Sequence, residues 1–267
     1  MSNSNILNIK LIKKSLKTID VARSIIYLEQ TTSTNDIAKK LCSEGHHHGT
    51  VIIAEEQTAG RGRKKNRWLS IKGKGLYFSL ILEPPESSNV QLLTLGAGIA
   101  VANAIEKVCS VVSRLKWPND VYIQNKKVAG ILAEAISKRN ESFKVILGVG
   151  INVNHDKRDF DDEIARIATS LKISSGKSVP REQVFAEFGS ELAKIYSELA
   201  KGKTSIVIKY WLDKALYVDE EVVVETENTS VVGKFIGLND AGAMLLKDHN
   251  QNLHEIWAAD VVRCRNI

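Results

Sequence analysis

The chain has 267 residues, 43% hydrophobic and 25% charged, with a formal charge of +6 and a pI near 9.1. This composition suits a globular protein with a sizeable core. It excludes little by charge alone, since nucleotides, acidic proteins and nucleic acid all fit a basic chain. No uninterrupted apolar run approaches the roughly 18 residues that cross a bilayer, and the polar, lysine-bearing start has no signal-peptide core. A cytoplasmic protein without a membrane partner is expected. Cys42, Cys109 and Cys264 are scattered and form no CxxC pair, so they read as free thiols rather than a disulfide framework or zinc site.

In chain order, residues 24–29 read as a strand, followed by the polar turn TTSTN and a helix over 36–44 with Gly45 as its C-cap. Residues 50–55 form an apolar strand, after which a glycine- and cation-rich loop runs from 57 to 75. A strand over 76–82 stops at Pro84 and Pro85, and a long helix covers 90–108. Strands over 121–124 and 128–136 flank the turn Asn125-Lys126, and a third strand over 144–153 follows a turn at 138–141. Between 181 and 199, Val184, Phe185, Phe188, Leu192, Ile195, Tyr196 and Leu199 lie on one helical stripe. From about residue 217 short strands recur at 221–225, 231–238, 243–246, 253–257 and 261–263, a small β module.

Four segments carry candidate chemistry. The first, QTAGRGR, runs from Gln57 to Arg63, with Trp68 and Ser70 downstream. Gly60 and Gly62 let backbone approach a ligand, and Arg61 and Arg63 offer forked donors for carboxylate or phosphate. A solvated basic loop or a nucleic-acid-binding arm has the same composition. The second, KWPND, spans Lys116 to Asp120, with Lys127 and Gly130 on the following strand. It sets a cation beside an anion at a stiffened strand end, and a mid-strand glycine marks close approach of ligand or backbone. A plain hairpin with a Lys116–Asp120 ion pair reads the same. The third, Ser33-Thr34-Asn35, precedes the first helix, where such residues are ordinary N-caps yet also suit a polar heterocycle. The fourth, GVGIN from Gly148 to Asn152, lacks the third glycine and following helix of a dinucleotide fingerprint. Gly96 and Gly98 read as helix packing contacts, and His46–His48 as a solvated turn.

Together and in this order, STN, QTAGRGR with its tryptophan, KWPND, KxAGIL and GxGIN resemble the biotin protein ligase family, from about residue 24 to the C-terminus. The resemblance implies an α+β fold, a mixed central sheet with helices like that of class II aminoacyl-tRNA synthetases, plus a small C-terminal SH3-like β-barrel. Residues 1–215 would be the catalytic domain and 216–267 the β module. Biotin contacts are implied for Ser33, Thr34, Asn35, Gln57, Arg61, Gly62, Arg63, Lys127, Gly130 and Ile131. Nucleotide contacts are implied for Arg61, Arg63, Trp68, Lys116 and Asn152, and catalytic roles for Lys127, Arg61, Arg63, Lys116 and Asp120.

The implied reaction uses ATP and biotin, with Mg2+ carried by the triphosphate and no dedicated protein metal ligand. Its acceptor is a biotin carboxyl carrier protein or domain, and a homodimer is left open. The run Lys64-Lys65-Asn66-Arg67 departs from the family's more glycine-rich pattern, and Ile71 stands where proline is common. Some 23 residues precede the first strand, so the short form without an N-terminal DNA-binding domain, and no DNA partner, is expected. A lipoate ligase is the nearest rival. A basic nucleic-acid-binding module is a rival of another class, predicting affinity that falls steeply with salt.

Overall fold

The computed structural model describes residues 6–16, 22–86, 88–137, 143–226 and 229–263. Cys264 and the turn expected at 138–141 lie outside the described residues. Strand β1 (Ser24–Thr31) runs parallel to β2 (Thr50–Gln57), joined by helix α2 (Thr34–Ser43). The antiparallel strands β3 (Leu76–Leu82), β7 (Lys144–Ile151), β6 (Lys126–Ile136), β5 (Asp120–Ile123) and β4 (Arg114–Lys116) complete a mixed sheet. Its order is β1-β2-β3-β7-β6-β5-β4. The whole of β3 is buried, as its unbroken apolar run requires of a strand covered on both faces.

One face is covered by α3 (Val90–Cys109), α6 (Arg181–Ala200) and α7 (Thr204–Leu212), which pack on one another. In length and composition α3 would suffice to span a membrane, but 78% of that stretch is buried inside the protein. Its expected glycine contact is real: a Cβ at Gly96 would sit 2.7 Å from Ile195. On the other face α2 closes a smaller cluster with Ala38 and Cys42 against Ile52, Ile81 and Ile146.

From Glu221 the strands β8 (Glu221–Glu225), β9 (Ser230–Leu238), β10 (Met244–Lys247), β11 (Leu253–Ile256) and β12 (Asp260–Arg263) form a second, antiparallel sheet in the order β11-β10-β9-β8-β12. This is consistent with an SH3-like barrel. It docks on the turn before β5 and the start of α3: Trp117 Nε1 donates to the Gly242 carbonyl at 3.2 Å and Asn89 Nδ2 to that of Ala241 at 3.1 Å.

Helices α1 (Ile9–Ser15), α4 (Asp162–Ile167) and α5 (Leu171–Ser175), with α7 and β4, have no counterpart in the sequence reading. Helix α1 buries only Ile12. The preceding Leu7 backbone N–H donates to the fully buried Glu55 carboxylate, which also pairs with Arg181 Nη1 at 2.8 Å and accepts from Gly73 N–H. Arg181 Nη1 further donates to the Gly75 carbonyl at 3.0 Å. The N-terminal segment and the exit of the 57–75 loop thus meet on one buried ion pair.

His155 is fully buried, stacked on Phe160 and 3.2 Å from the Tyr77 hydroxyl. Burial pushes its pKa down from 6.5 to about 4. The unfolded imidazole therefore takes a proton first, so the stability carried by neutral His155 is present above pH 6.5 and is lost as pH falls towards 4. Thermal melts across this window are expected to decline, and His155→Phe is expected to flatten the decline. An unchanged slope contradicts this.

Candidate active site

The N-terminus of α2, the end of β2, the loop leaving β2 and parts of β6 and β7 surround a cavity of about 150 Å³. Its polar wall starts at α2. Ser33 occupies the N-cap position yet its side chain makes no capping bond, so the simplest reading of this segment fails. Gln57 Oε1 instead accepts from Thr34 N–H at 2.8 Å and lies 3.1 Å from Thr34 Oγ1, while its Nε2 donates to Ser70 Oγ. Buried Ser79 lies within 2.7 Å of both Thr34 Oγ1 and Asn35 Oδ1. A hydroxyl has one proton to give, and the Asn35 oxygen can only accept. Ser79 therefore donates to Asn35, leaving the Thr34 hydroxyl to donate to Gln57 or Ser79.

The Asn35 amide is consumed by the protein: Nδ2 donates to Glu134 Oε2 at 2.8 Å and to the Leu132 carbonyl at 3.3 Å. It lines the cavity but acts as a brace across β3, β6 and β7. Gly148 makes room for it, since a Cβ there would sit 2.1 Å from Asn35 Oδ1. Gly150 and Gly130 form the floor, and Trp68 lies on both; a Cβ at Gly150 would meet its indole at 2.5 Å. The close approach expected at Gly130 is thus made by Trp68 and by the Lys127 side chain. The indole Nε1 of Trp68 is buried without a hydrogen-bond partner.

The glycine–arginine loop folds over this floor as a small closed hairpin. Arg61 and Arg67 form an antiparallel bridge, and Gly62 N–H donates to the Asn66 carbonyl at 2.7 Å. Arg61 is held by Asp36 at 2.6 Å and Glu134 at 3.2 Å. Arg63 reaches the other way, donating to the Ala259 carbonyl at 3.2 Å and to Asn119 Oδ1 at 3.4 Å. Lys64 pairs with Asp260 at 2.8 Å, so the loop is tied to the start of β12. Burial lowers the Arg63 pKa against the opposing pull of Asp260 and Asp120.

Lys127 projects from β6 into the same space, 2.7 Å from Asp120 Oδ1 and 5.6 Å from the Trp68 ring centre. Arg61, Arg63 and Lys127 all line one cavity with Ser33, Thr34 and Gln57. Ile131 and Asp120 line it as well. Lys116 and Asn152 do not. Lys116 lies over the Tyr122 ring at 5.5 Å, its pKa lowered by burial. Asn152 is buried behind β6, with Nδ2 donating to the Thr169 carbonyl at 3.1 Å. The sequence reading did not single out Asn66, Arg67, Asn119, Leu132, Gly150 or Asp260 as site residues, yet all line the cavity. Asn119 and Gly150 sat inside motifs already in view; Asp260, far along the chain, gave no local signal.

The cationic loop and the sheet-borne lysine thus face a hydroxyl–amide wall across one cavity, and residues 27–152 match the model of the biotin/lipoate A/B protein ligase family. The bifunctional ligase/repressor BirA of Bacillus subtilis is 36% identical over 94% of this chain and 77% of its own length. The biotin–[acetyl-CoA-carboxylase] ligase of Mycobacterium tuberculosis is 31% identical over 91% of this chain and 90% of its own. The structure of the Aquifex aeolicus biotin protein ligase in complex with biotin and ATP superposes with a TM-score of 0.80 at 34% identity, covering 91% of this chain and all of that one. The chain belongs to the biotin protein ligase family.

Proposed function

We infer that this chain activates biotin with ATP to biotinyl-5′-AMP and transfers biotin to a lysine of a biotin carboxyl carrier domain. The observation that carries this reading is the convergence of Arg61, Arg63 and Lys127 on one cavity whose opposite wall is Ser33, Thr34 and Gln57. The first half-reaction brings biotin's carboxylate onto the α-phosphorus of ATP, anion against anion. Fixed cations offset that repulsion and stabilise the charge that develops on the transferring group and on pyrophosphate. Magnesium enters as part of the ATP substrate. The carboxylates lining the cavity, Asp120 and Asp260, are paired with Lys127 and Lys64, which suits a metal held mainly by phosphate oxygens and water.

In the second half-reaction the acceptor amine attacks the mixed anhydride, and AMP leaves. No enzyme nucleophile is needed; the enzyme must hold the adenylate away from water. The hairpin over residues 60–68, tied at one end to Glu134 and at the other to Asp260, is placed to do so. The hydroxyl–amide wall favours biotin over lipoate, because an ureido ring offers both donors and acceptors and a dithiolane offers neither.

The test is to incubate the protein with ATP, magnesium and equal biotin and lipoate, and to identify the acyl-adenylate by mass spectrometry. Biotinyl-AMP is expected; lipoyl-AMP, or no adenylate, overturns the reading. The wall itself is tested by Gly148→Ala, whose methyl group displaces Asn35 and with it the Ser79–Thr34 network. Disrupting one buried hydrogen-bonded group costs about 1–3 kcal/mol, so calorimetry is expected to show biotin binding weakened roughly 5- to 150-fold. Unchanged affinity contradicts that arrangement.

A further inference from the structure

The loop that leaves β2 at Gln57 rejoins the sheet at Leu76, and its exit rests on two buried side chains that the reaction above does not use. Tyr77 of β3 is fully buried, and its hydroxyl accepts from Ile71 N–H at 2.9 Å. The same oxygen lies 3.2 Å from Nε2 of His155 and 3.4 Å from the Ile71 carbonyl. Nδ1 of His155 is buried without a hydrogen-bond partner, so the imidazole is tied through Nε2 alone. The exit backbone lies against the phenol ring, where a Cβ at Gly75 would come within 2.3 Å. Ser70 precedes Ile71 in the chain, and its Oγ accepts from Gln57 Nε2 at 3.2 Å. Gln57 Oε1 in turn accepts from Thr34 N–H at 2.8 Å. One run of contacts therefore leads from a buried histidine to the polar wall of the cavity.

We propose that Tyr77, backed by His155, is a positioning residue for biotin: it fixes Ser70, and through Ser70 the Gln57 amide on the cavity wall. The proposal rests on the ligase reading and names what sets the geometry of its biotin-binding side. The terminal torsion of a glutamine side chain is broad and soft, so the Gln57 amide points where its partners hold it. Thr34 takes one end and Ser70 the other. The segment from Trp68 to Ile71 is tied by backbone N–H groups at both its ends. Trp68 N–H donates to the Gly60 carbonyl at 2.9 Å, a bond inside the loop that moves with the hairpin. Ile71 N–H on Tyr77 is the tie to the sheet. A phenol hydroxyl has one proton to place, and His155 Nε2 either takes that proton or donates its own to the oxygen. Either way the oxygen keeps a lone pair for Ile71. Tyr77 also shares its sheet face with Ser79, two residues on, whose hydroxyl meets Thr34 and Asn35. One strand thus sets the wall from two positions.

The experiment measures the biotin Kd by calorimetry and the KM for ATP in biotin-dependent ATP–pyrophosphate exchange, on the full-length chain and its variants. Tyr77→Phe keeps the ring and removes only the hydroxyl. Its biotin Kd is expected to rise about tenfold, the scale of one hydrogen-bonding group left unpaired, with KM for ATP within about twofold of wild type. Ser70→Ala is expected to raise the biotin Kd similarly. Because both act through one contact, the double variant is expected to lie within about twofold of either single variant. His155→Leu is expected to raise the biotin Kd about threefold, and His155→Gln, whose amide can meet the Tyr77 hydroxyl, to restore it. An unchanged biotin Kd in Tyr77→Phe overturns the proposal. So does an equal rise in KM for ATP, or a double variant whose loss is the product of the two single losses. Should Tyr77→Phe fold poorly by thermal melt, the two His155 variants decide: the same biotin Kd in both overturns it. Failure of the ligase reading is recognisable separately: the wild-type chain would then show no biotin-dependent exchange.

Discussion

Lys127→Ala is expected to remove most biotin-dependent ATP–pyrophosphate exchange while leaving the fold intact. The ammonium sits 2.7 Å from Asp120 and faces the indole of Trp68 at 5.6 Å, so it is a half-buried cation at the cavity floor. Its removal does two things. It withdraws a positive charge from the place where a carboxylate must approach a phosphate. It also leaves Asp120, itself only 20% exposed, as an uncompensated anion in the same space. Losing one preorganised charge-stabilising group costs about 10²–10³ in rate, and the uncompensated Asp120 should push the loss to the upper end. Lys127→Ala combined with Asp120→Asn is expected to recover part of it. Exchange within a few-fold of wild type in the single variant would show that Lys127 is no part of the reaction.

The second large effect concerns stability. Glu55→Ala is expected to destabilise the fold by about 3–5 kcal/mol, the cost of leaving one member of a buried ion pair alone. Glu55 is 0% exposed and Arg181 4% exposed. The carboxylate also accepts from Leu7 and Gly73 N–H, so its loss frees the N-terminal segment and the exit of the catalytic loop together. The double variant Glu55→Leu, Arg181→Met is expected to be more stable than Glu55→Ala alone, because it removes both charges and fills their volume. Urea denaturation followed by circular dichroism measures all three proteins. A single variant as stable as wild type contradicts the clamp.

The central sheet and the loop were readable because their signals are local. Alternation and apolar runs gave β2, β3, β6 and β7 nearly to the residue, and the stripe from Val184 to Leu199 gave α6. Elements that escaped draw their stability from elsewhere. The sequence TSIVIKYWL of α7, rich in β-branched residues, has little intrinsic helix preference, yet it is helical because Val207, Ile208 and Trp211 bury against α3 and α6. Strand β4 is three residues long and exists through its pairing with β5.

At the site, residue types at motif positions pointed to the cavity, but not to how each side chain is used. Asn35 lines the cavity with its amide spent on Glu134 and Leu132. Arg61 and Arg63 reach opposite ends of the loop's footing, to Glu134 and to Ala259. Asp260 and Ser79 come from strands distant in the chain, and no spacing rule finds such partners. Asn152 and Lys116, carried in by motif position, lie outside the cavity lining. Position in a motif names a residue without saying which way it faces.

The central claim is that the cationic hairpin and Lys127 shelter one reactive acyl-adenylate in one cavity. The most direct measurement is the rate at which biotinyl-AMP leaves the enzyme, read by rapid gel filtration after loading with ATP, magnesium and radiolabelled biotin. The account predicts slow release from wild type and release faster by tenfold or more, on the order of 1.4 kcal/mol, when Arg61→Ala cuts the loop from Asp36 and Glu134. Release at the wild-type rate from Arg61→Ala would contradict it.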